Sequence, residues 1–260
     1  MLLGMESLVI ERSGGVLSVM LNRPQKKNAV DGPMWRGLAE VFREAALNDE
    51  DRVVVVSGAG GDFCAGADLS DSEALSTHAL VRMRMIGQAA LALHALPKPT
   101  IAKVDGVCVG AGCNLALGCD LVVASDRARF SEIFAKRGLS IDFGGSWLLP
   151  RRIGLHKAKE LALLADIIDA DEADRIGLVN RVVPVADLDS FVADWAARLA
   201  AGPPLALSLT KSLLDESMSM SMAEALEREA AAQPVNSASE DGREAVLAFL
   251  NKRDAHFSGR

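Results

Sequence analysis

The chain has 260 residues, half of them hydrophobic and 24% charged, the profile of a globular protein large enough for one sizeable core. Its net charge is -7, with no basic run, which argues against a nucleic-acid partner and confines any polyanionic ligand to a local basic patch. No apolar run is long enough to span a bilayer and residues 1–10 carry no signal-peptide pattern, so a cytoplasmic protein is expected.

Residues 8–11 and 16–21 alternate like strands, joined by the hairpin signal Gly14-Gly15. Asn22-Arg23-Pro24 breaks the second strand, and Pro33 suits the first turn of a helix running through Met34, Leu38, Val41, Phe42 and Ala45. Residues 53–57 form an apolar run typical of a buried strand. A helix over 79–96 stops at Pro97-Lys98-Pro99 and a strand follows at 100–104. A further helix is expected over 115–117, after a glycine bend, and a strand over 120–124. Strand, glycine loop and helix thus recur, which is α/β organisation. After Trp147 the pattern turns largely helical, with helices over 155–165 and 171–176 and a strand over 178–183. Gly202-Pro203-Pro204 marks a boundary. We divide the chain there into a core, 1–202, and a helical appendage, 203–260, with helices over 205–217, 223–232 and 243–251.

Two glycine segments carry the chemistry. Gly110-Ala111-Gly112 bends the chain between an apolar strand and a helix of small residues. The first turn of a helix leaves its N–H groups without internal partners, and those donors suit developing negative charge. The segment from Gly58 to Leu69 has the same build, with a helix expected to start at Asp68. Two such loops, converging, would make an oxyanion hole. The four cysteines, Cys64, Cys108, Cys113 and Cys119, have no Cys-x-x-Cys spacing and share no ligand spacing with the four histidines. Buried reduced thiols are expected, and no metal site.

These residues resemble the enoyl-CoA hydratase/isomerase (crotonase) superfamily. The resemblance rests on Asn22-Arg23-Pro24 with Asn28-Ala29, then Phe63-Cys64-Ala65-Gly66-Ala67-Asp68-Leu69. It continues through Lys98-Pro99, Val104-Asp105-Gly106, Gly110-Ala111-Gly112-Cys113 and Gly144-Gly145-Ser146-Trp147-Leu148-Leu149-Pro150-Arg151. It implies a spiral of ββα turns, with a helical C-terminal region that assembles trimers or dimers of trimers. It also implies an acyl-CoA thioester as substrate, with coenzyme A part of that substrate and no separate cofactor. The thioester oxygen would be held by the backbone N–H groups of Ala67 and Ala111.

Departures from the family pattern bear on the reaction. The two glutamates of hydratases would fall at Asn114 and Phe134, neither of which is a carboxylate. Neither can transfer the proton that hydration needs. Glu132 lies two places away and is a reserve candidate. Asp142 falls where isomerase-type members carry an aspartate, among them dienoyl-CoA isomerases and ring-modifying isomerases of the phenylacetyl-CoA pathway. The Ser146–Pro150 stretch looks closest to the latter. Asp142 is therefore read as a proton shuttle for double-bond migration, or else as the N-cap of the following helix. The same position serves as a nucleophile in aryl-CoA dehalogenases, and hydratase activity or CoA binding without turnover stay as alternatives. For coenzyme A, the resemblance points to Lys26, Lys27, the loop Ala65-Gly66-Ala67-Asp68, Gly110, Trp147 and Lys252. Read alone, Lys26 and Lys27 are solvated surface charges, and Lys252 is as readily that as a phosphate contact reaching a neighbouring subunit. The acyl chain is expected near Met83, Ile86, Phe134, Ile141 and Trp147.

Overall fold

A computed structural model describes residues 6–71, 76 and 78–260. Strands β1 (Leu8–Ser13) and β2 (Val16–Leu21) pair antiparallel through the Gly14-Gly15 turn, both glycines at positive φ as that turn requires. Strands β3 (Val53–Gly58), β4 (Thr100–Val104), β6 (Leu121–Ser125) and β9 (Arg181–Val183) then add in parallel. The result is a six-stranded sheet in the order β1-β2-β3-β4-β6-β9. A three-stranded sheet, β5 (Val107–Val109), β7 (Arg129–Ser131) and β8 (Ile168–Asp169), stands beside it. Each parallel step needs a crossover long enough to return the chain, and β4, β5 and the helix after them supply one turn of the spiral. The fold is that of the crotonase spiral.

Helices α1 (Gly32–Leu47) and α2 (Ala79–His94) cover one face of the large sheet. Asp31 caps α1 by accepting the Met34 N–H, with Pro33 in the first turn where its missing N–H costs nothing. The glycine bend leads into α3 (Ala111–Leu117), every residue of which is buried. Small side chains are what allow that: a Cβ at Gly112 would stand 2.5 Å from the Cys64 carbonyl. Helices α4 (Gly145–Ile153), α5 (Leu155–Leu164) and α6 (Ala170–Arg175) follow. The opposite face of the sheet is covered by α7 (Leu188–Ala200), whose Leu188, Val192, Ala196 and Ala200 pack on Val53, Val55, Ile101 and Val123.

Three helices end the chain: α8 (Pro204–Ser217), α9 (Met222–Ala238) and α10 (Glu240–Leu250). Lys211 on α8 ties them to the core by an ion pair to Asp120 at 2.8 Å. Their apolar side chains are mostly uncovered, Met222 at 76% and Phe249 at 82% exposed. Among the described residues, no helix is long and apolar enough to cross a membrane.

One expectation needs correction. No helix starts at Asp68: Leu69 and Ser70 form a turn, and residues 72–75 and 77 lie outside the described part of the chain. The Asp68 carboxylate folds back on its own loop, accepting from the Ser70 N–H at 3.0 Å and the Ser70 hydroxyl at 2.7 Å, and this closes a turn in place of a helical one.

Candidate active site

The two glycine loops converge. Asn28 is the clasp: fully buried, it accepts from the Arg23 N–H at 2.9 Å and donates to the Ala59 and Asp62 carbonyls at 2.8 and 2.7 Å. Lys27 and Asn28 are both left-handed, a conformation that costs a non-glycine residue energy and is held here by these bonds. The Lys27 carbonyl accepts from Ala65 N–H at 2.9 Å, and Val30 and Gly66–Asp68 exchange two further backbone bonds. The loop is thereby carried to α3. Gly66, at φ +91°, lies so close to the second loop that a Cβ there would stand 3.0 Å from the Val109 carbonyl and 3.5 Å from the Ala111 nitrogen. Among the described residues neither the Ala67 nor the Ala111 N–H has a protein acceptor. Phe134 packs behind this junction, its ring within 3.8 Å of where a Gly110 Cβ would be.

A cavity of about 600 Å³ opens beside Ala67, walled by Val30, Trp35, Met83, Ile86, Ile141 and Phe143, with Asp68 and Asp142 also on its lining. Gly110 and Ala111 are not on that lining and pack against Gly66, next to Ala67 in the chain.

Asp142 is positioned by a strained turn. Phe143 (φ +49°) and Gly144 (φ +78°) are consecutive left-handed residues, and the Phe143 ring, buried against Trp35 with centroids 5.2 Å apart, holds that geometry. The Asp142 carbonyl accepts from Gly145 N–H at 2.9 Å and from Asn114 Nδ2 at 3.0 Å. Its carboxyl does not cap α4. The cap residue is Gly144, with no side-chain bond, and Asp142 Oδ1 has no partner. Burial pushes this carboxyl up to about 6, because the charged form has lost its water.

Behind Asp142 lies Glu132, 1% exposed, whose Oε2 accepts from Asn114 Nδ2 at 3.3 Å. Burial lifts it to about 7, against the pull of Asn114 and Cys113 and with a further push from Asp142.

The basic residues take different stations. Arg23 and Lys26 both pair with Asp68, at 2.8 and 2.9 Å. Burial would raise the Asp68 carboxyl, but Lys26, Ser70 and Arg23 outweigh it and hold it far below the usual carboxylate range. Lys27 reaches Asp62 at 3.6 Å. Lys252 follows α10 in a left-handed turn, exposed, with no ion pair among the described residues. Trp147 stands outside the cavity lining, 39% exposed, with the Arg151 guanidinium 4.0 Å over its ring and His94 at its edge. Met83, Ile86 and Ile141 share the cavity, whereas Phe134 does not line it. All four cysteines are buried and free, and among the described residues no cluster suited to a metal occurs.

The family model for enoyl-CoA hydratase/isomerase matches residues 11–260. The chain belongs to the enoyl-CoA hydratase/isomerase family. Within that family it is 36% identical to 1,2-epoxyphenylacetyl-CoA isomerase of Escherichia coli (strain K12), over 98% of this chain and 100% of that one. It is 34% identical to the short-chain-enoyl-CoA hydratase of Clostridium acetobutylicum, over 96% of each chain. A crystal structure of enoyl-CoA hydratase from Mycobacterium smegmatis superimposes with a TM-score of 0.91 at 32% identity, covering 97% of this chain and 99% of that one. Family membership makes an acyl-CoA thioester the expected kind of substrate, and relatives of similar identity carry different activities.

Sequence reasoning placed Glu132 only in reserve. Its partner Asn114 is more informative than its own position, and the pairing of 114 with 132 and 142 becomes visible only when α3 and the segment before α4 come together.

Proposed function

We propose that this family member moves a carbon–carbon double bond within an acyl-CoA thioester, with Asp142 as the single proton shuttle. The observation that carries the reading is the Asp142 carboxyl: on the cavity wall, half-buried with its Oδ1 out of solvent, raised to about 6 and free of any capping role. A base with a value near the working pH combines a useful ionised fraction with a useful driving force for proton transfer.

In this reading the thioester oxygen accepts from Ala67 and Ala111, whose bonds strengthen as charge builds on that oxygen. Ionised Asp142 takes a proton from the carbon that becomes part of the enolate system. It returns that proton to a different carbon, so the mass is unchanged and no water is consumed. Asn114 and Phe134 support this reading over hydration, since neither can exchange a proton with water or carbon at the places where hydratases carry glutamates. Hydration is the second reading, favoured by the hydratase names that most of the relatives carry. It would need another acid–base pair, beginning with Glu132.

Coenzyme A would lie along the loop from Ala65 to Asp68, with Lys26 and Lys27 beside it and Gly110 beneath. Lys252 would reach a phosphate in a neighbouring subunit of a trimer or dimer of trimers. The exposed apolar residues of α8–α10 support assembly of that kind.

A panel of 2-enoyl-, 3-enoyl- and ring-unsaturated acyl-CoA, followed by mass spectrometry and ultraviolet absorbance, tests the reading. A product of equal mass and altered conjugation is expected. Gain of one water from the 2-enoyl substrate would replace it with hydration, and binding without turnover would leave a CoA-binding protein.

A further inference from the structure

The Asn114–Glu132–Asp142 cluster has more acceptors than donors. Asn114 Nδ2 serves two oxygens, Glu132 Oε2 and the Asp142 carbonyl. Three buried oxygens, Asn114 Oδ1, Glu132 Oε1 and Asp142 Oδ1, have no partner at all. An unpaired buried acceptor is costly, and three in contiguous residues call for a missing hydrogen. Turning the amide over would not help, because its oxygen would then face two acceptors, Glu132 Oε2 and the Asp142 carbonyl. A carboxylic acid and a primary amide are complementary: the amide N–H donates to one acid oxygen, and the acid O–H donates back to the amide oxygen. A proton on Glu132 Oε1 would therefore provide the donor that Asn114 Oδ1 lacks.

The groups around Glu132 offer no competing charge of opposite sign. Asn114 and Cys113 face it from α3, Cys108 of β5 lies against Cys113, and Asp142 approaches from the segment before α4. Lys136, in the turn after Glu132, pairs instead with Asp166 at 3.0 Å.

We propose that Glu132 is a positioning residue that holds a proton, locked as a neutral acid against the Asn114 amide, so that the single negative charge of this cluster resides on Asp142. This inference rests on the reading of Asp142 as the base. Through Asn114 the acid also fixes the carbonyl of the residue that does the chemistry. Burial and the Asp142 charge keep Glu132 protonated until about pH 7, whereas Asp142 ionises near 6. Between those values two carboxyls share one proton. Above them a second negative charge stands beside a site that must accumulate an enolate, and turnover falls.

The first arm of the test needs no substrate. Infrared spectra of the unliganded protein at about pH 6.5 should show the C=O stretch of a buried carboxylic acid, lost by about pH 8.5. Labelling with [13C]glutamate should shift that band, which assigns it to a glutamate without any substitution, and Glu132→Gln should remove it. Absence of the band, or a band indifferent to the label, overturns the proposal. The second arm is the pH profile of kcat on 3-enoyl-CoA. The wild type should be bell-shaped, having lost about tenfold by one pH unit above the alkaline midpoint. Glu132→Gln, which offers the same reciprocal pairing without a titrating proton, should keep the acid limb and lose the alkaline one. An alkaline limb that persists in the variant overturns the proposal. If the infrared band behaves as expected while 3-enoyl-CoA is not isomerised, Glu132 keeps its assignment and the isomerase reading falls.

Discussion

At the scale of single residues, environment decides which carboxyl does what. Asp68 and Asp142 line one cavity, yet Arg23 and Lys26 hold Asp68 ionised while burial lifts Asp142 to about 6. In the proposed isomerisation only ionised Asp142 acts as base, so kcat/KM should rise with pH through an apparent midpoint near 6, before the alkaline fall assigned to Glu132. A profile flat between about pH 5 and 7 would disagree with this. The same shifts have a cost in stability. Asp142 and Glu132 ordinarily titrate at 3.8 and 4.5 and are raised in the fold to about 6 and about 7. The folded chain thus binds more protons than the unfolded chain across that window, and stability falls as pH rises through it. For one such group the raised value corresponds to about 3 kcal/mol. The double variant Asp142→Asn, Glu132→Gln should therefore melt higher than the wild type at about pH 8 and gain little at about pH 4, measured by thermal unfolding.

At the scale of elements, close backbone contact builds the site, and glycine permits it. Gly66→Ala combines a strained φ with a Cβ 3.0 Å from the Val109 carbonyl. It should cost roughly 1–3 kcal/mol of stability and lower kcat more than it raises KM, because the Ala67 and Ala111 donors are driven apart. Unchanged kcat would separate the loops from catalysis. Asn28→Ala removes three buried hydrogen bonds and should cost at least about 2 kcal/mol in denaturant unfolding. Much of this was legible in the sequence: the repeated strand–glycine–helix pattern marked both loops, whereas Asp142 was marked by the family resemblance and not by its local pattern. Helix α7 was not picked out, although Leu188, Val192, Ala196 and Ala200 recur at helical spacing. Two further features depend on contacts remote in sequence. Asp68 is held ionised because Arg23 and Lys26 come to it from the β2–α1 connection. Phe143 adopts a left-handed backbone because Trp35 packs its ring.

At the scale of the whole molecule, a core closed by two helical layers carries a tail that is poorly covered. Helix α8 buries no residue, and α9 buries only Ala232 among its seventeen. Apolar side chains so arranged favour association, and light scattering should return three or six times the 27.5 kDa of one chain. A monomer would leave Lys252 without the neighbouring site it is proposed to serve. Association and chemistry are separate matters, and the central claim concerns the chemistry. It is tested most directly by giving 3-enoyl-CoA to the wild type and to Asp142→Asn, following conjugation by absorbance and product mass by spectrometry. The wild type should yield a conjugated product of unchanged mass, and the variant should be slower by at least about a hundredfold while still binding the thioester. A product heavier by one water, or a variant that isomerises at the wild-type rate, would contradict the role assigned to Asp142.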